Sequence, residues 1–207
     1  MKLLQYLPVD LGQGRLKHKT KAKLIAFEYV PRPQNQAAIL DLGCGDGYWS
    51  ERFKKLGYSV AAIDGEAVYP NINADYKYKD MILCDANKVL PFPDSCFDAV
   101  WCSEVIEHLA NYKLTSAEIK RVLKPGGIYI ITTPNSFFWL HYFLKIFGLS
   151  NKDWQNEGHV NFFNFKEIKQ LFPAAQIYGY FPYSFIKCKI KRFISLLSPY
   201  FIIVGNK

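Results

Sequence analysis

Apolar residues recur along the chain with two different periods. Residues 37–42 form a short apolar run broken only by Asp41, the pattern of a strand covered on both faces. Residues 59–63, 81–84, 99–102 and 128–133 read the same way, and 176–180 and 200–204 add two more. Between the strands the spacing becomes helical. Trp49, Phe53 and Leu56 mark a helix over 48–56, ended by Gly57. Residues 116–123 form a second helix, stopped by Pro125-Gly126-Gly127, and 165–171 a third. A basic helix over 16–30 precedes them, closed by Pro31 and Pro33. Strands alternating with helices predict a doubly wound α/β fold: a seven-stranded, mostly parallel sheet with helices on both faces. No internal repeat is visible. Two stretches fall outside this plan, 136–161 and 183–198.

Half of the 207 residues are hydrophobic and 16% are aromatic, which excludes a disordered chain. The net charge of +8 is uneven. Residues 1–34 hold 7 basic and 2 acidic side chains, residues 183–207 hold 5 and 0, and the middle holds 14 and 16. Such ends suit either an anionic partner or a solvated surface. The division follows: a basic N-terminal helix in 1–34 and one domain over 35–207, with 136–161 and 183–198 as insertions. Five cysteines without a CxxC pair or zinc-type Cys/His spacing fit a reducing compartment. The apolar part of the N-terminus is too short for a signal peptide. The aromatic run 137–149 is shorter than the roughly 18 residues of a spanning helix. The expected location is the cytoplasm, with association at a membrane surface left open.

The densest local signal is Asp41-Leu42-Gly43-Cys44-Gly45-Asp46-Gly47, between a predicted strand and a predicted helix. Missing Cβ atoms let a ligand approach the backbone, and ligands of open α/β sheets bind outside the carboxyl ends of the strands. The spacing is GxGxG, whereas a dinucleotide fingerprint is GxGxxG. Asp41 and Asp46 would repel a pyrophosphate but suit an ammonium and a sulfonium, the charges of S-adenosylmethionine. Asp64 ends the second strand, 17 residues beyond Gly47, where a carboxylate can accept from two ribose hydroxyls. Asp85 ends the third, placed for an adenine amine, with the backbone of Ala86 beside it.

These motifs, with Leu90-Pro91-Phe92-Pro93-Asp94-Ser95-Cys96-Phe97-Asp98-Ala99-Val100, Ser103-Glu104-Val105-Ile106-Glu107-His108-Leu109 and Arg121-Val122-Leu123-Lys124-Pro125-Gly126-Gly127, resemble the class I S-adenosylmethionine-dependent methyltransferases. The likeness is to the type 11 methyltransferase domains and the ubiquinone-biosynthesis O-methyltransferases, from about residue 37 to 135. It implies a Rossmann-like fold with S-adenosylmethionine as cofactor. Gly43, Cys44 and Gly45 would line the methionine part near Asp41, Asp64 would hold the ribose, and Asp85 and Ala86 would face the adenine. Ser103 and Glu104 would lie beneath the sulfonium and the acceptor. Gly65 departs from the family pattern and loosens the adenine edge.

Methyl transfer to an oxygen or nitrogen of high pKa calls for a base. His108 follows the fourth strand. His159 lies in a His-x-x-Phe-Phe stretch that resembles an element after the fifth strand of related methyltransferases. Both are candidate catalysts, against the plainer role of loop or capping histidines. His18 reads as solvated and His141 as packed. No spacing demands a metal, and the (Asp or Asn)-Pro-Pro-(Tyr or Phe) signature of nucleobase amino methylation is absent. On a helix over 185–197, Ile186, Ile190, Phe193, Ile194 and Leu197 share a face and Lys187, Lys191 and Arg192 fall away from it. Such a helix could touch a membrane surface, or pack on the sheet with a wet basic face. Three readings follow: O-methylation of a small-molecule or lipid-linked acceptor, methylation of RNA or protein, and a cofactor-binding scaffold without turnover. Nucleic acid is the weaker partner. The acceptor, the use of a base, the oligomeric state and the pathway are not written in the residues.

Overall fold

A computed structural model of the chain describes residues 19–34, 36–65, 80–139, 146, 148, 158–182 and 188–207. His18, His141, most of segment 136–161 and the stretch 183–187 lie outside the described residues. Eight strands form one sheet: β1 (Ala38–Leu42), β2 (Ser59–Asp64), β3 (Met81–Leu83), β4 (Phe97–Ser103), β5 (Leu123–Pro134), β6 (Gln176–Tyr180), β7 (Lys189–Ile190) and β8 (Tyr200–Asn206). Their order is β3-β2-β1-β4-β5-β8-β6-β7. The pairs from β3 across to β5 are parallel, and β8 runs antiparallel to both β5 and β6. The seven expected strands are present. The eighth, β7, is a two-residue addition at the edge.

Period-two alternation explains the two faces. Leu40, Leu42, Val100, Cys102, Tyr129, Ile131, Phe201 and Ile203 point to one side. They meet α3 (Tyr112–Val122) and α4 (Phe165–Leu171) through Ile119, Val122, Ile168 and Phe172. Ile39, Ala99, Trp101, Ile130, Ile202 and Val204 point to the other. There they meet α1 (Lys21–Phe27) and α2 (Tyr48–Leu56) through Ala22, Ile25, Ala26, Trp49 and Phe53. A sheet buried on both faces yields near-continuous apolar strands, the pattern seen in the sequence.

Four local expectations change. The basic helix expected over 16–30 is confined to α1, Lys21–Phe27: Thr20 before it is extended, and the helix is capped at Glu28, short of Pro31. Helix α3 begins at Tyr112, four residues before Ser116, because Thr115 and Ser116 turn their hydroxyls back onto the carbonyls of Asn111 and Tyr112 and so lie inside the helix. Pro125-Gly126-Gly127 does not stop that helix. It ends at Val122, and β5 starts at once with buried Leu123 opposite Phe97. The Pro-Gly-Gly turn is a bulge inside β5, after which Ile128 pairs with Ala99. The helix over 185–197 is not formed across 188–193. Lys189–Ile190 pairs with β6, Phe193 takes a left-handed conformation, and only Ile194–Leu197 (α5) is helical. Alternating Lys189, Ile190 and Lys191 suit an edge strand as well as a helix face, and the open edge of β6 decides between them.

Candidate active site

The strand order reverses between β1 and β4, so their carboxyl ends splay into a crevice. The glycine loop sits there. Gly43, Gly45 and Gly47 all have positive φ. The Gly43 and Cys44 N–H groups donate to the Ile63 carbonyl at 2.8 and 3.1 Å, tying the loop to the end of β2. A Cβ on Gly43 would lie 2.2 Å from Cγ2 of Val105, so only glycine fits. A Cβ on Gly45 would meet nothing within 4 Å, which leaves its backbone open to a ligand.

Asp64 accepts from the Gly45 N–H at 2.7 Å through Oδ2 and from the Gly65 N–H at 2.8 Å through Oδ1. A carboxylate offers about four lone-pair sites, so two remain for a diol. Burial raises the Asp64 pKa, while the two backbone donors and His108 pull it down. Asp41 is buried beneath the loop and accepts from Ser50 Oγ at 2.5 Å. Burial pushes it up to about 7, and the charge of Asp64 adds to the rise. Cys44 is buried with its thiol raised, first by desolvation and then by Asp41. The loop thus collects carboxylates that a cationic ligand would help to ionise. These residues fit S-adenosylmethionine: an open cradle at Gly45, an acid for the ribose, and negative charge for the sulfonium and ammonium.

Asp85 and Ala86, expected to face an adenine, bond to neighbouring residues of the chain. Asp85 is exposed and accepts from the N–H and side-chain amide of Asn87, which hold its pKa down. The carbonyl of Ala86 accepts from Thr115 Oγ1 at 2.7 Å. Ser103 Oγ lies 2.7 Å from Thr132 Oγ1. Glu104 sits at a positive φ of 59° and pairs with Lys23 of α1 at 3.2 Å. It is therefore engaged by the N-terminal helix as well as placed at the strand end. Lys23 is itself buried, a functional candidate the sequence reading left on a basic surface. The available signal was its place among Ala22, Ile25 and Ala26 on the apolar face.

His108 and His159 come together, with ring centroids 4.7 Å apart in an edge-to-face contact. They lie 51 positions apart in sequence. Backbone bonds join their segments: the N–H groups of Val160 and Asn161 both donate to the Glu107 carbonyl at 3.0 Å. His108 Nδ1 lies 2.8 Å from the Gly158 carbonyl. A carbonyl only accepts, so Nδ1 donates, and in the neutral form of the ring Nε2 is left with the lone pair. Burial and the neighbouring His108 lower His159 to about 4, so it is neutral at pH 7. Glu107, quoted only as part of a motif in the sequence, is buried beside them. Desolvation and Glu104 push it up to about 8. Its Oε2 accepts from Thr133 Oγ1 at 3.1 Å, while Oε1 is buried and accepts no hydrogen bond. Glu107, His108 and His159 bring one ligand atom each within 4.8 Å of one another, a donor set suited to a divalent cation that no local spacing announced.

A family described as a methyltransferase domain matches residues 40–131. The mouse mitochondrial ubiquinone biosynthesis O-methyltransferase is 36% identical over 121 residues, 55% of this chain and 33% of its own. The malonyl-[acyl-carrier protein] O-methyltransferase of Erwinia pyrifoliae is 32% identical over 49% of this chain and 39% of its own. The matches thus span about a third of each of these relatives' length. A methyltransferase structure from Archaeoglobus fulgidus superposes over 93% of this chain and 97% of its own, with TM-score 0.64 and 20% identity. One from Mesorhizobium loti superposes over 91% and 98%, with TM-score 0.65 and 15% identity. Over residues 40–131, which carry the glycine loop and the acidic strand ends, the chain matches a methyltransferase domain and is similar to the class I S-adenosylmethionine-dependent methyltransferases.

Proposed function

We propose that the chain methylates an oxygen of a small-molecule or lipid-linked acceptor. The observation that carries this reading is the meeting of His108 and His159 beside the Asp64–Gly45 cradle. When bound there, S-adenosylmethionine supplies an electrophilic methyl group on a sulfonium. The loop backbone at Gly45 and the Asp64 carboxylate orient it, and Asp41 adds negative charge below. His108 Nε2, with Nδ1 anchored on Gly158, takes the proton of the acceptor hydroxyl. His159, held neutral, keeps a second positive charge away from the first imidazole. Support for oxygen as the acceptor atom comes from the relatives, which are named O-methyltransferases.

A second reading has its own observation, the orphaned Glu107 Oε1 beside two imidazoles. Glu107, His108 and His159 would hold a divalent cation, whose chemistry there is to lower the pKa of an acceptor hydroxyl.

Both readings are tested with a deuterium-labelled methyl donor and mass spectrometry of a small-molecule extract. Asp64→Ala is expected to weaken cofactor binding by about 1.5–3 kcal/mol in calorimetry, the range for hydrogen bonds to a charged group. His108→Ala is expected to lower turnover about 10²–10⁴-fold with cofactor affinity kept. Turnover abolished by a chelator and restored by a divalent cation selects the second reading. Absence of cofactor binding by the unmodified chain would overturn both.

A further inference from the structure

We propose that residues 188–196 form a wedge that docks the protein on an anionic bilayer, at the end of the sheet that carries the glycine loop. This extends the reading of the acceptor as lipid-linked. Phe193 is 75% exposed and Leu196, one turn later, is 51% exposed. Large apolar side chains more often find cover, and Phe193 is displayed by an unfavourable backbone. Its φ is 54°, in the left-handed region where a residue with a Cβ is disfavoured and glycine is at home. Strain of this kind persists where the surroundings fix it, and it clusters at functional sites. Here the Leu196 and Leu197 N–H groups both donate to the Phe193 carbonyl, at 3.0 and 2.9 Å, and Ile194 is buried beneath. The turn is held rigid while its two apolar side chains face outward.

Charge selects the occupant. Lys191 and Arg192 immediately precede Phe193, and residues 183–207 contain no Asp or Glu; Lys189 is turned the other way, paired with Glu28 at 3.6 Å. Apolar residues flanked by cations match a surface with an anionic headgroup layer above hydrocarbon. A nucleic acid would match the cations and could stack on Phe193, but has no use for an aliphatic Leu196.

Position ties the wedge to the site. The side-chain amide of Asn135, just beyond the carboxyl end of β5, donates to the carbonyls of Ser195 and Ser198, both at 2.8 Å. The Asn135 N–H donates to the Pro199 carbonyl at 2.8 Å. The wedge therefore hangs from the same end of the sheet as the glycine loop, the end where the parallel strands finish.

The test is flotation with vesicles of phosphatidylcholine alone and of phosphatidylcholine and phosphatidylglycerol in equal parts. The unmodified chain is expected to float only with the anionic vesicles. Lys191→Glu/Arg192→Glu should lose that binding, since each cation near the surface is worth about fivefold. Phe193→Gly should weaken it about tenfold through lost apolar burial. Because glycine suits the left-handed turn, the same variant should melt at an unchanged or higher temperature, which separates docking from folding. Negligible binding to both vesicles, or equal binding of Phe193→Gly and the unmodified chain, would overturn the wedge. Binding to a single-stranded oligonucleotide tighter than to the anionic vesicles, and insensitive to Leu196→Ala, would overturn it in favour of nucleic acid. Calorimetry with S-adenosylmethionine keeps the two proposals apart: cofactor binding without flotation sinks only the docking, and flotation without cofactor binding sinks only the methyltransferase activity.

Discussion

Asp41 shows how one residue can serve a site at the expense of the fold. It sits in an otherwise apolar strand, fully buried, with its pKa raised from 3.8 to about 7. A carboxyl raised in this way holds its proton more tightly when folded. The associated stability is complete below 3.8 and is lost as pH rises through about 7. Asp41→Asn removes the titration and leaves a side chain of similar shape for Ser50 to bond. Urea unfolding of both proteins at pH 5 and pH 8 should therefore diverge, the unmodified chain losing about 2 kcal/mol relative to the variant over that interval. Parallel pH profiles would mean that Asp41 is not the group whose burial costs stability. The strand position of Asp41 was legible because a carboxylate interrupts the apolar run 37–42. The role of Glu107 was not: its acidity is set by burial against Glu104, a consequence of packing that the one-dimensional spacing of acids and histidines does not carry.

Among the elements, the glycine loop separates two uses of the same residue type. Gly43 is fixed by Val105, whereas Gly45 faces open space. Gly43→Ala is expected to cost about 2–4 kcal/mol, the left-handed strain plus an overpacked contact, with partial recovery in the Gly43→Ala/Val105→Ala double variant. Gly45→Ala should cost only about 1–2 kcal/mol in stability, its left-handed strain, and should instead reduce cofactor binding, because its methyl enters the cradle. Thermal melts and calorimetry on the three variants check the division, and an equal stability loss at both glycines would contradict it. Most elements were readable because both periodicities are strong there; α2 matches the expected 48–56 to the residue. Two of the misread ones differ in cause. Ser116 reads as the first residue of its helix until its hydroxyl, like that of Thr115, is seen to bond back onto the preceding turn. Lys189 and Ile190 look helical until the free edge of β6 recruits them. In the first case a bond within the helix, and in the second a pairing from outside the segment, overrode the apparent preference.

At the scale of the whole molecule, the order of the sheet was only half readable. The parallel half from β3 to β5 follows from the alternation of strands and helices, but nothing in residues 200–206 announces that they enter between β5 and β6. Among the described residues no helix is long and apolar enough to cross a membrane. The inserted strand also bears on the order of assembly. β5 is twelve residues long, and seven of them, from Ile128 to Pro134, pair with β8. β6 precedes β8 in the chain yet reaches the rest of the sheet only through it. A nascent chain emerging from the ribosome can complete the cofactor half while the other half waits for residues 200–206. In that interval β5 offers a bare apolar edge that invites pairing with a second chain. A chain ended after Pro199 should consequently be recovered as aggregate, as judged by size exclusion, whereas a single substitution at exposed Asn206 should leave it monodisperse. Translation of this protein thus carries a window of vulnerability that closes only when β8 is made.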